Sequence, residues 1–164
     1  MQFTWVDYPN IYEAELETWC DETVRHAIDG DSIKEEHDWY LENNYVFNKD
    51  YFCKIVLEDK TAVALVMSGT RINKSETETV ICIDTFIINP ELRNQGYGTK
   101  IIAEIIQNSE NIIVAQIHKD NETSKKLFKK SGFHFICTEA EINDDWFDWI
   151  YPASAADRYL AWRE

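Results

Sequence analysis

Cys82-Ile83-Asp84-Thr85-Phe86-Ile87-Ile88-Asn89-Pro90-Glu91-Leu92-Arg93-Asn94-Gln95-Gly96-Tyr97-Gly98-Thr99-Lys100 reads as an apolar strand that runs into a polar, glycine-punctuated turn and then opens an amphipathic helix. Such a turn suits phosphate. Gly96 and Gly98 lack the Cβ atoms that would keep an anion off the backbone. The first amides of the helix have no intrahelical partners and sit at the positive end of its dipole. Arg93 adds a mobile positive charge at the rim. Two nucleotide motifs fail on spacing: a dinucleotide fingerprint needs a third glycine where Ile101 stands, and a P-loop needs Gly-Lys-Ser/Thr where the chain has Gly98-Thr99-Lys100. What remains is Arg-x-x-Gly-x-Gly after a strand.

A second signal lies downstream in Asn121-Glu122-Thr123-Ser124-Lys125-Lys126-Leu127-Phe128-Lys129-Lys130-Ser131-Gly132-Phe133. Together, in this order, the two segments resemble the GNAT superfamily of acyl-CoA-dependent N-acetyltransferases. The pyrophosphate loop of that superfamily reads Arg/Gln-x-x-Gly-x-Gly/Ala, and its next helix ends in a Lys-x-Gly-Phe turn. The resemblance covers roughly residues 50 to 152. It implies one GNAT domain over residues 1–164 with an α/β (α+β) fold: a mixed central sheet splayed between its fourth and fifth strands, with helices on both faces. Acetyl-CoA, as cosubstrate, would lie in the gap. Its pantetheine arm would run against the backbone of Phe86, Ile87 and Ile88, and its pyrophosphate would rest on amides from Arg93 through Asn94, Gln95, Gly96, Tyr97 and Gly98 to Thr99. Asn121 would hydrogen-bond the arm from the other side.

Composition narrows the partners. A chain of 164 residues with 45% hydrophobic and 13% aromatic content supports one domain with its own core. No apolar run is long enough to span a bilayer, and Met1-Gln2-Phe3-Thr4-Trp5 has no signal-peptide pattern, so a cytoplasmic protein is expected. Cys20, Cys53, Cys82 and Cys137 are scattered, without Cys-x-x-Cys or His-x-x-x-His spacing; buried thiols are expected, with neither a metal site nor a disulfide framework. A net charge of −14 argues against nucleic acid or an anionic membrane as partner. Residues 1–59 hold fifteen acids against four bases, a balance of −11, while the remainder is near neutral at −3. That asymmetry reads either as a solvated acidic surface or as a field in which the first half collects a small cationic amine and the second tolerates an anionic cofactor beside Lys119, Lys125, Lys126, Lys129 and Lys130.

Hydrophobic periodicity predicts the order β α α β β β α β α β β. A first strand spans 2–6. One helix follows Pro9-Asn10, with Ile11, Leu16, Trp19, Cys20, Val24 and Ile28 on its apolar side, and ends at Gly30. A capping box, Ser32 with Glu35, opens a second helix that stops before Asn43-Asn44. Strands at 51–57, 61–67 or slightly beyond, and 80–88, a helix at 96–107, a strand at 111–117 and a helix capped by Asp120 or Asn121 follow. Strands at 133–138 and 146–151 close the sheet around an acidic loop at 139–145, and residues 152–164 form a short helix or tail. The protein is expected to be a monomer or homodimer.

Amide formation from a thioester needs a neutral amine, yet an alkylamine with a lysine-like pKa of about 10.4 is almost wholly protonated at pH 7. A carboxylate is needed to take the proton. Asp84 is the candidate because it interrupts an apolar strand, although a structural acid paired with an arginine would also account for it. In aminoglycoside 6′-N-acetyltransferases a Gly-Ile/Met-Asp-Gln-Phe/Leu element precedes the Gly-x-Gly-Thr turn, and its Asp is the base that the resemblance transfers to Asp84. Cys82 replaces the Gly here and Thr85 the Gln. A backbone amide near Phe86 or Ile87 would donate to the developing oxyanion, a contribution of about 3 kcal/mol. Many relatives place a Tyr seven residues after the helix Asn to protonate the leaving thiolate; the chain has Phe128 there. His118 reads as structural, and His26, His37 and His134 have no partner pattern. Trp5, Trp19, Trp39, Tyr40 and Tyr45 among Glu15, Asp38 and Glu42, and Trp146 and Trp149 beside Asp144, Asp145 and Asp148, read as core or as walls for a cationic acceptor. The expected activity is acetylation of a small cationic amine, led by the 6′-amine of an aminoglycoside-like aminosugar and so by antibiotic resistance. A polyamine or protein-amine acetyltransferase and a non-catalytic acyl-CoA-binding sensor are the alternatives.

Overall fold

Runs of β-branched residues around Glu58-Asp59-Lys60 set the centre of the molecule. They form a hairpin of β2 (Asp50–Glu58) and β3 (Thr61–Ile72), in which Asp59 takes the left-handed φ of 55° that the tight turn demands. The computed structural model describes residues 2–25, 28, 31–47, 50–73, 75–136 and 145–163. The other strands are β1 (Thr4–Asp7), β4 (Thr79–Ile88), β5 (Ile112–His118), β6 (His134–Ile136) and β7 (Trp146–Tyr151). All seven join one sheet in the order β1-β2-β3-β4-β5-β7-β6, antiparallel except for the β4/β5 pair.

Alternation along the strands feeds two cores. On one face Val56, Val66, Ile83, Phe86 and Ile113 pack with Ile101 and Ile102 of α4 (Tyr97–Gln107) and Phe128 of α5 (Glu122–Lys130). Burying Ile101 and Ile102 completely contributes about 1.5–3 kcal/mol each. On the other face Ile55, Leu65 and Met67 meet Leu16, Val24 and Ile33 from α1 (Glu13–Glu17), α2 (Glu22–Arg25) and α3 (Ile33–Phe47). Farther along that face α6 (Ala156–Arg163) sets Tyr159 against Val80, Cys82, Val114 and Ile150. The sheet is therefore mixed, with helices on both faces.

The N-terminal half departs from expectation in two places. The single helix predicted after Pro9-Asn10 is two short ones, because Asp21 Oδ1 accepts from the Val24 amide at 3.0 Å and so caps a new start. Leu16, Trp19, Val24 and Ile28 keep the predicted apolar face, but Ile11 is 92% exposed. Gly30, expected to end the helix, lies outside the described residues, as do His26, Lys49, Lys74, Cys137, Asp144 and most of the acidic loop. The Ser32 box forms, with Ser32 Oγ accepting from Glu35 N at 3.1 Å and Glu35 Oε2 accepting from Asp31 N at 3.0 Å. Asn43 does not end α3, because its side-chain amide donates to Trp39 O one turn back at 2.8 Å and the helix continues to Phe47. Cys20, Cys53 and Cys82 are free, and burial pushes the Cys53 and Cys82 thiols up to about 12. No helix among the described residues is long and apolar enough to cross a membrane.

Candidate active site

β4 and β5 pair only from Val80↔Ile112 to Ile83↔Ala115, although β4 runs on to Ile88 and β5 to His118. Beyond that last pair the strands part into a wedge. Ile83, Asp84, Thr85, Phe86, Ala115, Gln116, Asn121 and Phe128 are among the residues that line it. Its apex is tight, with ≈ 10 Å³ of free space, about one water-sized sphere. The β4 backbone from Phe86 to Ile88 pairs with Val66 to Ala64 on its β3 side, so its other edge borders the wedge and can hydrogen-bond an extended amide-bearing ligand.

Asp84 owes its place to a β-bulge. Met67 faces Thr85 and Ser68 faces Ile83, so Asp84 is the extra residue on β4. The face changes there: Ile81 and Ile83 before the bulge and Phe86 and Ile88 after it all pack on the α4 side, which turns both Asp84 and Thr85 to the α3 side. Thr85 Oγ1 lies 3.5 Å from Oε1 of the buried Glu36 on α3. The Asp84 carboxylate is 0% exposed and is ion-paired at 2.9 Å with Arg71 Nη2 from β3. The pairing that the sequence allowed as a structural account of Asp84 is thus present, at the apex of the wedge.

A polar row crosses this face through four adjacent strands: Arg71 on β3, Asp84 on β4, Gln116 on β5 and Asp148 on β7. With the Gln116 amide oriented to satisfy both neighbours, its nitrogen donates to Asp84 Oδ1 at 3.3 Å and its oxygen accepts from Arg71 Nη1 at 3.1 Å. Asp148 is buried rather than part of an exposed acidic rim; burial raises its pKa, while the Tyr159 hydroxyl, donating at 2.6 Å, lowers it. Asp145, read with it as a wall for a cationic acceptor, is paired with Lys119 at 2.8 Å. Arg71, Gln116, Glu36 and Tyr159 were not anticipated. For Gln116 the available signal was a polar residue inside the apolar run of β5; Arg71, near the polar end of β3, and Glu36 and Tyr159, on helices, carried none.

The loop after β4 is shaped for an anion. Asn89 ties it down by donating to Ala62 O and accepting from Glu91 N, each at 3.0 Å. Asn94 and Gly96 take positive φ of 62° and 86°, and α4 starts at Tyr97. The helical ladder begins with Lys100 N on Gly96 O, which leaves the amides of Tyr97, Gly98 and Thr99 ahead of it at the positive helix end. Gln95 donates to Glu91 O. The two glycines differ in role. A Cβ on Gly96 meets nothing within 4 Å, so its conformation is what matters there; a Cβ on Gly98 would come within 2.8 Å of Leu127 Cδ2, so Gly98 serves the contact of α4 with α5. Arg93 is not a mobile rim cation, since Nη1 and Nη2 grip Asp21 at 2.8 and 3.3 Å. The Tyr97 hydroxyl donates to Glu58 Oε1 at 2.9 Å, so only its backbone faces an anion.

On the far wall Asn121 caps α5, its Oδ1 accepting from Ser124 N at 3.1 Å, and both residues line the wedge. Phe128 is buried edge-on to Phe86 and Phe133, with ring centroids 5.8 and 5.0 Å apart, and offers no proton. Ile87 sends its side chain into the opposite core, so only its backbone can serve the wedge. His118 is structural: Nδ1 accepts from Asp120 N at 3.1 Å and the ring meets Trp146 edge-on. Trp19 and Trp149 are core, Trp39 is exposed, and Tyr40 stacks on Tyr51. A larger cavity of ≈ 310 Å³ is lined by Trp5, Phe52, Ser68, Ile81, Glu104 and Asn108, and shares none of its lining residues with the wedge.

The open β4 edge, the positive-φ loop and the helix amides fit an extended ligand ending in phosphates, and the arrangement as a whole has known counterparts. The sequence model described as the acetyltransferase (GNAT) family matches residues 8–133. No curated protein matches the chain. Among solved structures, the aminoglycoside N(6')acetyltransferase of Legionella pneumophila subsp. pneumophila str. Philadelphia 1 is similar with a TM-score of 0.69 at 12% identity, over 96% of this chain and 95% of that one. Aminoglycoside acetyltransferase AAC(6')-Ib in complex with coenzyme A gives 0.66 at 13% identity, over 97% and 99%. A Bacillus subtilis acetyltransferase in complex with CoA gives 0.61 at 12%, over 91% and 96%.

Proposed function

We propose that this chain, which belongs to the GNAT family of acetyltransferases, transfers the acetyl group of acetyl-CoA to a primary amine of a cationic acceptor, with the 6′-amine of an aminoglycoside-like aminosugar as the leading class. The observation that carries the reading is a buried carboxylate, Asp84, on a bulge at the wedge apex beside an open strand edge. Acetyl-CoA supplies a thioester-activated acetyl group. The amides of Tyr97, Gly98 and Thr99 hold the pyrophosphate, the β4 edge from Phe86 to Ile88 aligns the arm, and Asn121 borders it from α5. Asp84, directly or through water, takes a proton from the acceptor ammonium, and the neutral amine so formed attacks the thioester carbonyl; its second proton leaves with the departing thiolate. An amide at Phe86 or Ile87 donates to the carbonyl oxygen, worth about 3 kcal/mol in the transition state. Phe128 packs beside the sulfur, and a thiol with a pKa near 8.5 departs without a protein acid.

The acidic balance of residues 1–59 and the aminoglycoside acetyltransferases among the structural neighbours support the acceptor class. Antibiotic resistance and a cytoplasmic location go with it. A CoA-release screen over kanamycin, its 6′-hydroxyl analogues, spermidine and lysine peptides tests the reading. Kanamycin should be turned over, with a KM that climbs as salt screens exposed charge over about 8 Å, and the 6′-hydroxyl analogues should be poor. Equal rates on both, or activity confined to peptides, would remove the aminosugar assignment.

A further inference from the structure

Backbone pairing between β4 and β5 ends at Ile83↔Ala115, and the next residue on each strand is Asp84 and Gln116. Their side chains continue the contact that the backbones give up, and Arg71 bonds to both of them. The catalytic carboxylate is thus clamped at the point where the wedge opens. We infer that Arg71 and Gln116 are positioning residues that hold Asp84 ionised and oriented toward the acceptor amine. The inference rests on Asp84 acting as the base.

Physical chemistry gives the clamp its purpose. A carboxylate with no solvent exposure would by burial alone take up a proton, with shifts of up to about 3–5 units in fully buried groups, and a protonated acid cannot accept one from an amine. A guanidinium at 2.9 Å opposes this. The clamp has its own support: Asp148 acts on Arg71 across the sheet, and Tyr159, with Arg163 at 3.9 Å, holds Asp148 from α6. The other titratable groups that face Asp84 are Cys82 on its own strand, Tyr51 on β2 and, through Thr85 or Arg71, Glu36 and Tyr40 on α3. Among the described residues none of these groups is a cation.

The test is the pH profile of kcat/KM with kanamycin as acceptor, or spermidine if the screen returns a polyamine, for Arg71→Met, Arg71→Lys, Gln116→Leu and Asp84→Asn, with the thermal shift given by CoA as the control for an intact wedge. Loss of Arg71 should move the acid limb up by about one unit or more, which lowers kcat/KM by about tenfold or more at pH values on the acid side of both limbs. Arg71→Lys should restore the limb, and Gln116→Leu should move it in the same direction by less. CoA stabilisation should persist in all of them. Should Arg71→Met not fold, Gln116→Leu and Arg71→Lys decide. Acid limbs that coincide with wild type while Asp84→Asn is inactive would overturn the inference alone; near-normal turnover in Asp84→Asn would remove the base itself.

Discussion

Gly98 gives the sharpest quantitative prediction, because its environment differs from what its motif suggests. Its missing Cβ makes room for Leu127, whose Cδ2 would lie 2.8 Å from an added methyl and Cδ1 3.0 Å. Replacing a helical glycine by alanine gains about 1 kcal/mol of backbone propensity, whereas overpacking costs about 1–3 kcal/mol. The net for Gly98→Ala is a loss of about 0–2 kcal/mol, or up to roughly 8 °C in Tm for a chain of this size. Leu127 is only half-buried and its end can move, which places Ala near the low end and the bulkier Gly98→Val above it. Leu127→Ala opens the space, so the double variant Gly98→Val with Leu127→Ala should be more stable than the sum of its parts by about 1 kcal/mol or more. Thermal unfolding of the wild type and the four variants, with and without CoA, measures all of this. Gly98→Ala should still bind CoA. A Gly98→Ala protein of wild-type stability that has lost CoA binding would refute the argument and return Gly98 to the phosphate.

Two further predictions concern charge. The Arg93 hydrogen bond is the main reason that the Asp21 carboxylate lies below its ordinary range, so the pair adds stability that is complete above the usual aspartate pKa near 4 and lost as pH falls through the lower folded value. Because the pair is partly exposed, Asp21→Asn should cost about 0.2–1 kcal/mol at pH 7 and less as pH falls below the usual aspartate range; a gap in urea midpoint that stays constant across that acid titration would contradict the assignment. Tyr159→Phe removes the donor that opposes burial at Asp148, so a carboxyl whose pKa is already raised is pushed higher. The variant should lose about 1.5–3 kcal/mol at pH values where Asp148 is ionised, and the loss should shrink as pH falls through the folded pKa. Equal stability of the two proteins at pH 7 would show that the bond carries no weight.

Local pattern carried most of the fold. Apolar alternation placed both ends of β2, β4 and β5 within one residue of where they lie and the start of β3, which runs on past Met67 to Ile72, and the glycine turn placed α4, because those signals depend on neighbours in sequence. The misses came from side chains that satisfy the backbone in ways composition does not distinguish. Asp21 caps a second helix inside an apolar periodicity, and Asn43 bonds within a helix it was expected to end. The geometry of the candidate site was legible where backbone matters, in the strand edge at Phe86 to Ile88 and the helix start at Tyr97 to Thr99, and where a carboxylate interrupts a strand, at Asp84. Its surroundings were not. Arg71 lies 13 residues from Asp84 in sequence and meets it through a bulge, and Asp21 reaches Arg93 across 72 residues, so both contacts are set by strand register and helix placement.

The central claim is that acetyl-CoA lies in the β4–β5 wedge, against the edge of β4 that faces away from β3 and against the first amides of α4. Amide hydrogen exchange with and without CoA tests it residue by residue. The account predicts slowed exchange at amides within Phe86 to Ile88 and within Tyr97 to Thr99, with little change in β1 or in the cavity between Trp5 and Glu104. Stabilisation by CoA that leaves both stretches unprotected, or protection concentrated at the Trp5 cavity, would contradict it.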